Sequence, residues 1–557
     1  MITAVVGVIV LLGGLIFFHE LGHFLVAKSF GVRVEVFSLG FGKKLFKKQW
    51  GETEYALSLF PLGGYVKLMG DDPYKEIPAA EAHRAFSTQK LYKRFLIVAA
   101  GPLANLLLAY ILFTIVFWAG QPTAAAQLGQ VKVHSTAWDA GLRPKDTVTA
   151  IGGTAIQNWK EIESRLDGHA GETLEVTVRR SGAELKIPVP VSRVKSRNEY
   201  GEEVMVAGFD GISLLPLASK IGVTEASPAY EAGLRTGDLL TRIESENVTL
   251  YEDLDEVLER VWEPGKAITL AYRRPTSFES QEDPSTLPEM TATLNLPKTK
   301  SEALGTWGRP EALGIFPSEV FVAKIHPDSP AEAGGMQAGD RILKVGDKPV
   351  YHFDNIVDYV QEQGKAGAQA VLTIQRNGKV EELKLTPKET VREDPLTRSP
   401  VTQFLVGFSP MTAFYEPAST EIRIRSVGPL LARSVGEVNE LAERMLVSLG
   451  KLVMGKISMK NLGGPVLIAS VAGKSLHAGI IPFLQMMALI SINLFLLNLF
   501  PIPILDGGHL LFFTIEAVQR KPVSIRTMEI ANQMGMVFIL LLVGLTLFND
   551  ISRMILH

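Results

Sequence analysis

The sequence predicts a multi-pass α-helical membrane protein with four spans, inserted α+β modules on one side and a membrane-associated β-hairpin on the other. Three observations carry that prediction. Four apolar stretches are long enough to cross a bilayer, for which about 20 residues suffice: Ile2–Ala27, Phe95–Gly120, Ala478–Phe500 and Ile530–Phe548. Basic residues segregate to one side of them. Between the second and third stretches lies a long water-compatible region that repeats one phrase three times.

The spans come first. Positive mean hydropathy with 21% charged residues fits a mixture of lipid-facing and solvent-facing parts. The first stretch (residues 1–28) has no basic leader and no small-residue cleavage site, which argues against a removed signal peptide. Residues 28–94 carry twelve Lys/Arg against seven Asp/Glu, and Arg520, Lys521 and Arg526 precede the fourth stretch. The positive-inside rule therefore places residues 29–94 and the 501–529 loop in the cytoplasm, and both termini with residues 121–477 outside. A formal net charge of -3 gives no support for nucleic-acid binding, and the absence of cysteine excludes disulfides and cysteine catalysis.

The outer region repeats "AWDAGLRPKDTVTAIGG", "AYEAGLRTGDLLTRIES" and "AEAGGMQAGDRILKVGD", with Asp146, Asp238 and Asp340 as matching positions. A spacing of about a hundred residues suits one small domain each. Each copy continues into a helical pattern and then an alternating run with a hairpin turn. The phrase resembles the turn signature of PDZ domains, giving copies over 121–198, 206–298 and 311–390. The first is the poorest match, with Lys145 where glycine is expected. PDZ domains take peptides as an added strand, with a backbone nest for the carboxylate. "LGIFP" (Leu313–Pro317) is the expected nest of the third copy and "GISLLP" (Gly211–Pro216) that of the second, with none evident in the first. Peptide binders and inert spacers both fit this pattern. A linker (391–425) leads to an amphipathic region (426–477), in which Leu431, Val435, Val438, Leu441, Met445, Leu449 and Leu452 recur at helical spacing. Its apolar face suits either a membrane surface or a module.

The chemistry sits in "HELGH". His19 and His23 are four residues apart, so on a helix they share a face and can hold Zn²⁺, with Glu20 placed to deprotonate a water. In soluble proteins such a pattern mostly marks an exposed helical turn. Inside a span nothing solvates the charges, and ionisable residues there serve a function. Catalytic zinc takes three protein ligands. Asp506, in "NLFPIPILDGGH", follows the third span, and the first and third spans both run inward, so it reaches the same edge. Pro501 and Pro503 end the helix and are expected to leave Ile502–Leu505 extended. In the inner loop, "GVRVEVFSLGFG" and "YALSLFPLGGYVKLMG" alternate as strands. A helical substrate hides its peptide bonds, so it must unwind. The strand edge at Gly63, Gly64, Tyr65 and Val66 is the expected place for the unwound segment.

"HELGH", "GPLAN" (Gly101–Asn105) and "NLFPIPILDGG", with PDZ modules between the second and third spans, resemble the site-2 protease family of intramembrane zinc proteases across nearly the whole chain. The resemblance implies one Zn²⁺ held by His19, His23 and Asp506, Glu20 as general base, and substrate contacts by Asn498, Pro501, the Gly63–Val66 edge and Asn105. It implies a multi-pass protein of the bacterial inner membrane that cuts spans of single-span proteins, such as anti-sigma factors or remnant signal peptides, in regulated intramembrane proteolysis. Its partners would be those substrates, the bilayer and peptide ligands of the modules. The best-known members carry two PDZ copies, whereas three occur here. Two other classes compete. A non-catalytic receptor would have lost one of His19, Glu20, His23 or Asp506, and a metal transporter needs a path across the membrane, which one compact site does not make.

Overall fold

The computed structural model describes residues 2–72, 74–198, 200, 202–278, 286–297, 306–394, 398 and 400–556. The chain divides into two compact units, one holding the membrane helices and the other residues 122–396 and 400–420.

In the first unit, four helices are long and apolar enough to span: Ile2–Ser29, Leu91–Ala119, Ile480–Leu499 and Ile525–Leu556. The second and fourth begin earlier than hydropathy alone marks. Glycines set how closely the first span is approached. A Cβ on Gly7 would lie 3.3 Å from the Ala472 carbonyl, one on Gly14 would lie 2.7 Å from Met487, and one on Gly22 would overlap the Ala100 carbonyl. Such small-residue faces are how helices associate where lipid removes the usual hydrophobic driving force. The amphipathic stretch becomes a helix over Val427–Val453 that buries Leu430, Ser434 and Val438 against the second and third spans. A further helix, Pro465–Ala478, has its N-terminus capped by Asp550 of the fourth span, which accepts from the N–H groups of Gly464, Val466 and Leu467 at 3.0–3.1 Å.

The inner loop forms β1 (Val34–Trp50) and β2 (Thr53–Leu68), but each strand is bent and pairs twice. Val36–Leu39 pairs with Gly64–Lys67 on one side and with Glu54–Leu57 on the other, while Lys44–Trp50 pairs with Thr53–Ser58. The expected hairpin is therefore a small sheet of four strand segments with Gly64–Leu68 at one edge. The breaks fall at Gly40 and Gly42, both at positive φ. There the chain turns back in a way other residues rarely tolerate.

The second unit contains three modules of one topology, each with its own core and a four-stranded antiparallel sheet. Equivalent positions fill the three cores: Val148 and Ile151, Leu240 and Ile243, Ile342 and Val345. The repeated aspartates are buried. Each accepts the N–H of the residue three before it and a two-pronged contact from an arginine: Asp146 from Arg180, Asp238 from Arg274 and Asp340 from Arg376. Each of these arginines also donates to a turn carbonyl, from Gly141, Gly233 or Gly335. The signature is thus a structural clasp.

The assignment of the closing strands requires correction. "GISLLP", expected in the second module, pairs with the first, Ile212 lying opposite Val131. "LGIFP", expected in the third, closes the second, with Ile315–Pro317 against Ile221–Val223. The third module is closed by Phe408–Pro410, within the stretch read as a linker, against Val322–Ile325. A tandem repeat does not reveal where one copy ends, because the closing strand lies next in sequence to the following copy. Lys145 occupies the left-handed turn position held by Gly237 and Gly339 in the other copies. Its side chain forms an ion pair with the buried Asp253 of the second module. Lys132 pairs with Asp354 of the third module, and Arg341 of the third stacks 3.3 Å from the Phe316 ring centre. Each module therefore touches both others, around a cavity of about 570 Å³.

Candidate metal centre

His19 and His23 project from one face of the first span, and their Nε2 atoms lie 3.3 Å apart. Asp506 opens the helix Asp506–Gln519 and turns Oδ2 toward both, 3.1 Å from His19 Nε2 and 3.6 Å from His23 Nε2. Among the described residues these three form the one cluster of metal-ligand type. Bonds of about 2.0–2.2 Å in a tetrahedron put ligand atoms roughly 3.3–3.5 Å apart, the scale of these separations. His23 Nδ1 lies 2.8 Å from the Ile97 carbonyl, which only accepts, so Nδ1 carries the proton and Nε2 presents a lone pair. A lone pair and a carboxylate oxygen converging at such distances repel unless a proton or a metal ion lies between them. The residues fit zinc.

Glu20 stands beside this cluster without belonging to it. Its carboxylate is within electrostatic reach of His19, His23 and Asp506 and accepts a hydrogen bond from the backbone N–H of Val66. Gly64 makes that approach possible, since a Cβ there would lie 3.1 Å from Glu20 Cγ and 2.9 Å from Ile16. A Cβ on Gly63 would penetrate the Phe41 ring. The strand edge expected to receive substrate therefore runs past the proposed base, and the free-edge donor of Val66 is spent on Glu20.

The motifs acquire physical reasons. In "GPLAN", a Cβ on Gly101 would overlap Nε2 of His23, so glycine leaves room for the ligand ring. Four residues on, Asn105 is fully buried, with its amide 3.2 Å from His19 Nδ1. That position behind a ligand does not suit the substrate contact expected of it. In "PIPILDGG", the expected extended run Ile502–Leu505 is instead a tight turn, closed by Leu505 N–H on the Ile502 carbonyl at 3.1 Å. Pro503 holds its second place, and Ile504 has φ of +82°. These are the marks of a type II turn, which normally has glycine where Ile504 stands. A β-branched residue there costs on the order of 1–3 kcal/mol, tolerated where the surroundings dictate the conformation. They do so here, because Gly507 and Gly508 pack directly on the carbonyls of residues 499–502, and Gly535 of the fourth span lies against Pro503. Asn498 is half-buried in the last turn of the third span and Pro501 is exposed beyond it. Sequence reasoning missed Gly22, Ile97, Gly101, Ile504 and Gly535. Only the glycines flanking known motif positions carried any signal.

A spanning helix with two histidines and a glutamate, and a shorter helix that turns an aspartate to the same point, make the site expected of a membrane metallopeptidase. The chain belongs to peptidase family M50, the site-2 protease family, whose model matches residues 7–542. It is 30% identical over 552 residues to the regulator of sigma-E protease RseP of Escherichia coli (strain K12), covering 98% of each chain. It is 31% identical over 554 residues to protease RseP of Yersinia pestis and 30% over 552 residues to a putative zinc metalloprotease of Vibrio cholerae, again with 98% of each covered. A solved PDZ domain protein from Parabacteroides distasonis aligns with 51% of this chain and 96% of its own at 10% identity, with a TM-score of 0.10, too low to carry a fold assignment.

Proposed function

We propose that this enzyme hydrolyses peptide bonds within the membrane spans of single-span proteins, anti-sigma factors and remnant signal peptides among them, using one zinc ion held by His19, His23 and Asp506. The convergence of those three side chains beside Glu20, two of them and Glu20 on a helix of spanning length and the third on the helix that follows another, is the observation that carries this reading. Bound zinc supplies Lewis acidity, polarising the scissile carbonyl and acidifying a water. Glu20 would take a proton from the attacking water on its carboxylate as the water oxygen bonds to the carbonyl carbon, and would deliver it to the nitrogen as the C–N bond breaks. The Val66 N–H holds the carboxylate in place between the two transfers. Substrate lies along the Gly63–Val66 edge, near Asn498 and Pro501, where an unwound segment exposes its peptide bond.

Orientation follows from the basic inner loop: the site faces the cytoplasm, the modules lie outside, and the protein resides in a bacterial inner membrane. The three modules are PDZ-like and gate access, admitting substrates whose outer domains have been trimmed. Their insertion between the second and third spans supports this, since both helices contribute to the site. The test is co-expression with single-span candidates, comparing wild type with Glu20→Gln. Cleavage by wild type alone supports the reading. Equal cleavage by both rejects Glu20 as base. A form lacking residues 128–390 should cut untrimmed substrates; unchanged selectivity in an active deletion rejects gating.

A further inference from the structure

The two imidazoles of the metal cluster are held from behind by different means. His23 Nδ1 meets a backbone carbonyl. His19 Nδ1 meets the side-chain amide of Asn105, a residue whose backbone carbonyl accepts from the Ser491 hydroxyl of the third span at 2.7 Å. As placed, the amide nitrogen of Asn105 faces His19, while Oδ1 is buried without a partner. The two ends of an amide have the same shape, so hydrogen bonding decides which is which. With Nε2 of His19 turned to Asp506 and His23 as a lone pair, Nδ1 carries the proton. An N–H facing an NH₂ group at 3.2 Å is a repulsion, whereas the carbonyl oxygen there makes a hydrogen bond and gains its missing partner.

We infer that Asn105 is a positioning residue: its Oδ1 accepts from His19 Nδ1–H, fixing the ring's orientation and keeping Nε2 free for metal. This rests on the reading of His19 as a zinc ligand. Asn105 sits on the second span and is braced by the third, so it makes the geometry of a first-span ligand depend on the packing of three helices. It acts through His19 and does not touch substrate.

The test measures zinc affinity of the purified full-length protein by chelator competition, alongside KM and kcat on a cleavable substrate. Asn105→Leu keeps the branched shape, though it is larger, and removes the acceptor. It should weaken zinc binding about 10–100-fold, the usual effect of losing such an outer partner, with KM unchanged at saturating zinc. Asn105→Asp keeps an oxygen in place and should bind zinc at least as tightly as wild type. Asn105→Ser, too short to reach His19, should behave like Asn105→Leu and replaces it if the leucine variant does not fold. Wild-type zinc affinity in Asn105→Leu or Asn105→Ser overturns the inference, as does a raised KM with unchanged affinity. His19→Ala in the same titration separates the two claims. If it loses zinc while Asn105→Leu does not, only the role of Asn105 fails; if it keeps zinc, the ligand reading itself fails.

Discussion

Asp506 and Asp340 are both largely buried aspartates facing nitrogen, yet they do opposite work. Asp340 is 1% exposed and saturated: one oxygen takes the Gln337 N–H and a guanidinium nitrogen of Arg376, and the other takes Arg376 Nε at 2.6 Å. Arginine stays protonated, so the pair is closed to any further ligand. Asp506 faces two imidazoles whose Nε2 atoms also face each other. An imidazole nitrogen, unlike a guanidinium, can present a lone pair, so the same carboxylate becomes one corner of an open coordination site. What distinguishes a structural aspartate from a functional one is therefore its partners' ability to become lone-pair donors, more than its burial. Among the described residues the membrane unit has one such cluster, whereas the module unit repeats the saturated clasp three times.

The contrast breaks most visibly at Glu20. Glu20→Gln should lower kcat by about 10²–10⁴-fold, the range for a lost general base, while zinc content by metal analysis stays at wild-type level. His19→Ala and Asp506→Ala should lose activity and metal together. A Glu20→Gln enzyme without zinc would make Glu20 part of the metal site and blur the distinction. Next in size is Gly101→Val, whose side chain overlaps His23 Nε2. It should abolish zinc retention, while Gly153→Ala, at a turn with open space around it, should leave zinc unchanged and cost only about 1 kcal/mol for its positive φ.

Asp340→Ala should destabilise the module unit by about 1–3 kcal/mol, because the Gln337 N–H and Arg376 lose their shared acceptor while Arg376 keeps Glu381 and the Gly335 carbonyl. Calorimetry of the full-length protein would show an earlier module transition with zinc content unaltered. Zinc loss in that variant would mean that the clasp also supports the metal site. A further prediction concerns pH. Burial pushes the Glu252 carboxyl up from 4.5 to about 8, with Glu319 adding to the rise and Lys145 opposing it. The folded module then binds more protons than the unfolded chain between those values, so its stability falls as pH rises from about 4.5 to about 8. Glu252→Gln should flatten that slope in melting temperatures measured across the range. An unchanged slope assigns it to another group.

The sequence by itself determined the four helices of spanning length, the repeat, and the grouping of His19, His23 and Asp506 beside Glu20. Each of these depends on short-range chemistry: apolar runs long enough for lipid, a four-residue helical spacing, or ionisable groups where nothing solvates them. Tertiary structure decided what depends on contacts between distant residues. Which strand closes which module was invisible, because Ile315 meets Val223 across more than ninety residues and the next copy begins beside it. The inner loop read as a hairpin because alternation shows faces and hides the second pairing of Val36–Leu39. Asn105 read as a substrate contact because the sequence places it in a span without saying which face meets His19. Lys145 read as a poor match, whereas its charge links two modules. A motif names the atoms that do chemistry, but the groups that aim them come from other helices, and only packing brings those within 3 Å or so of one another.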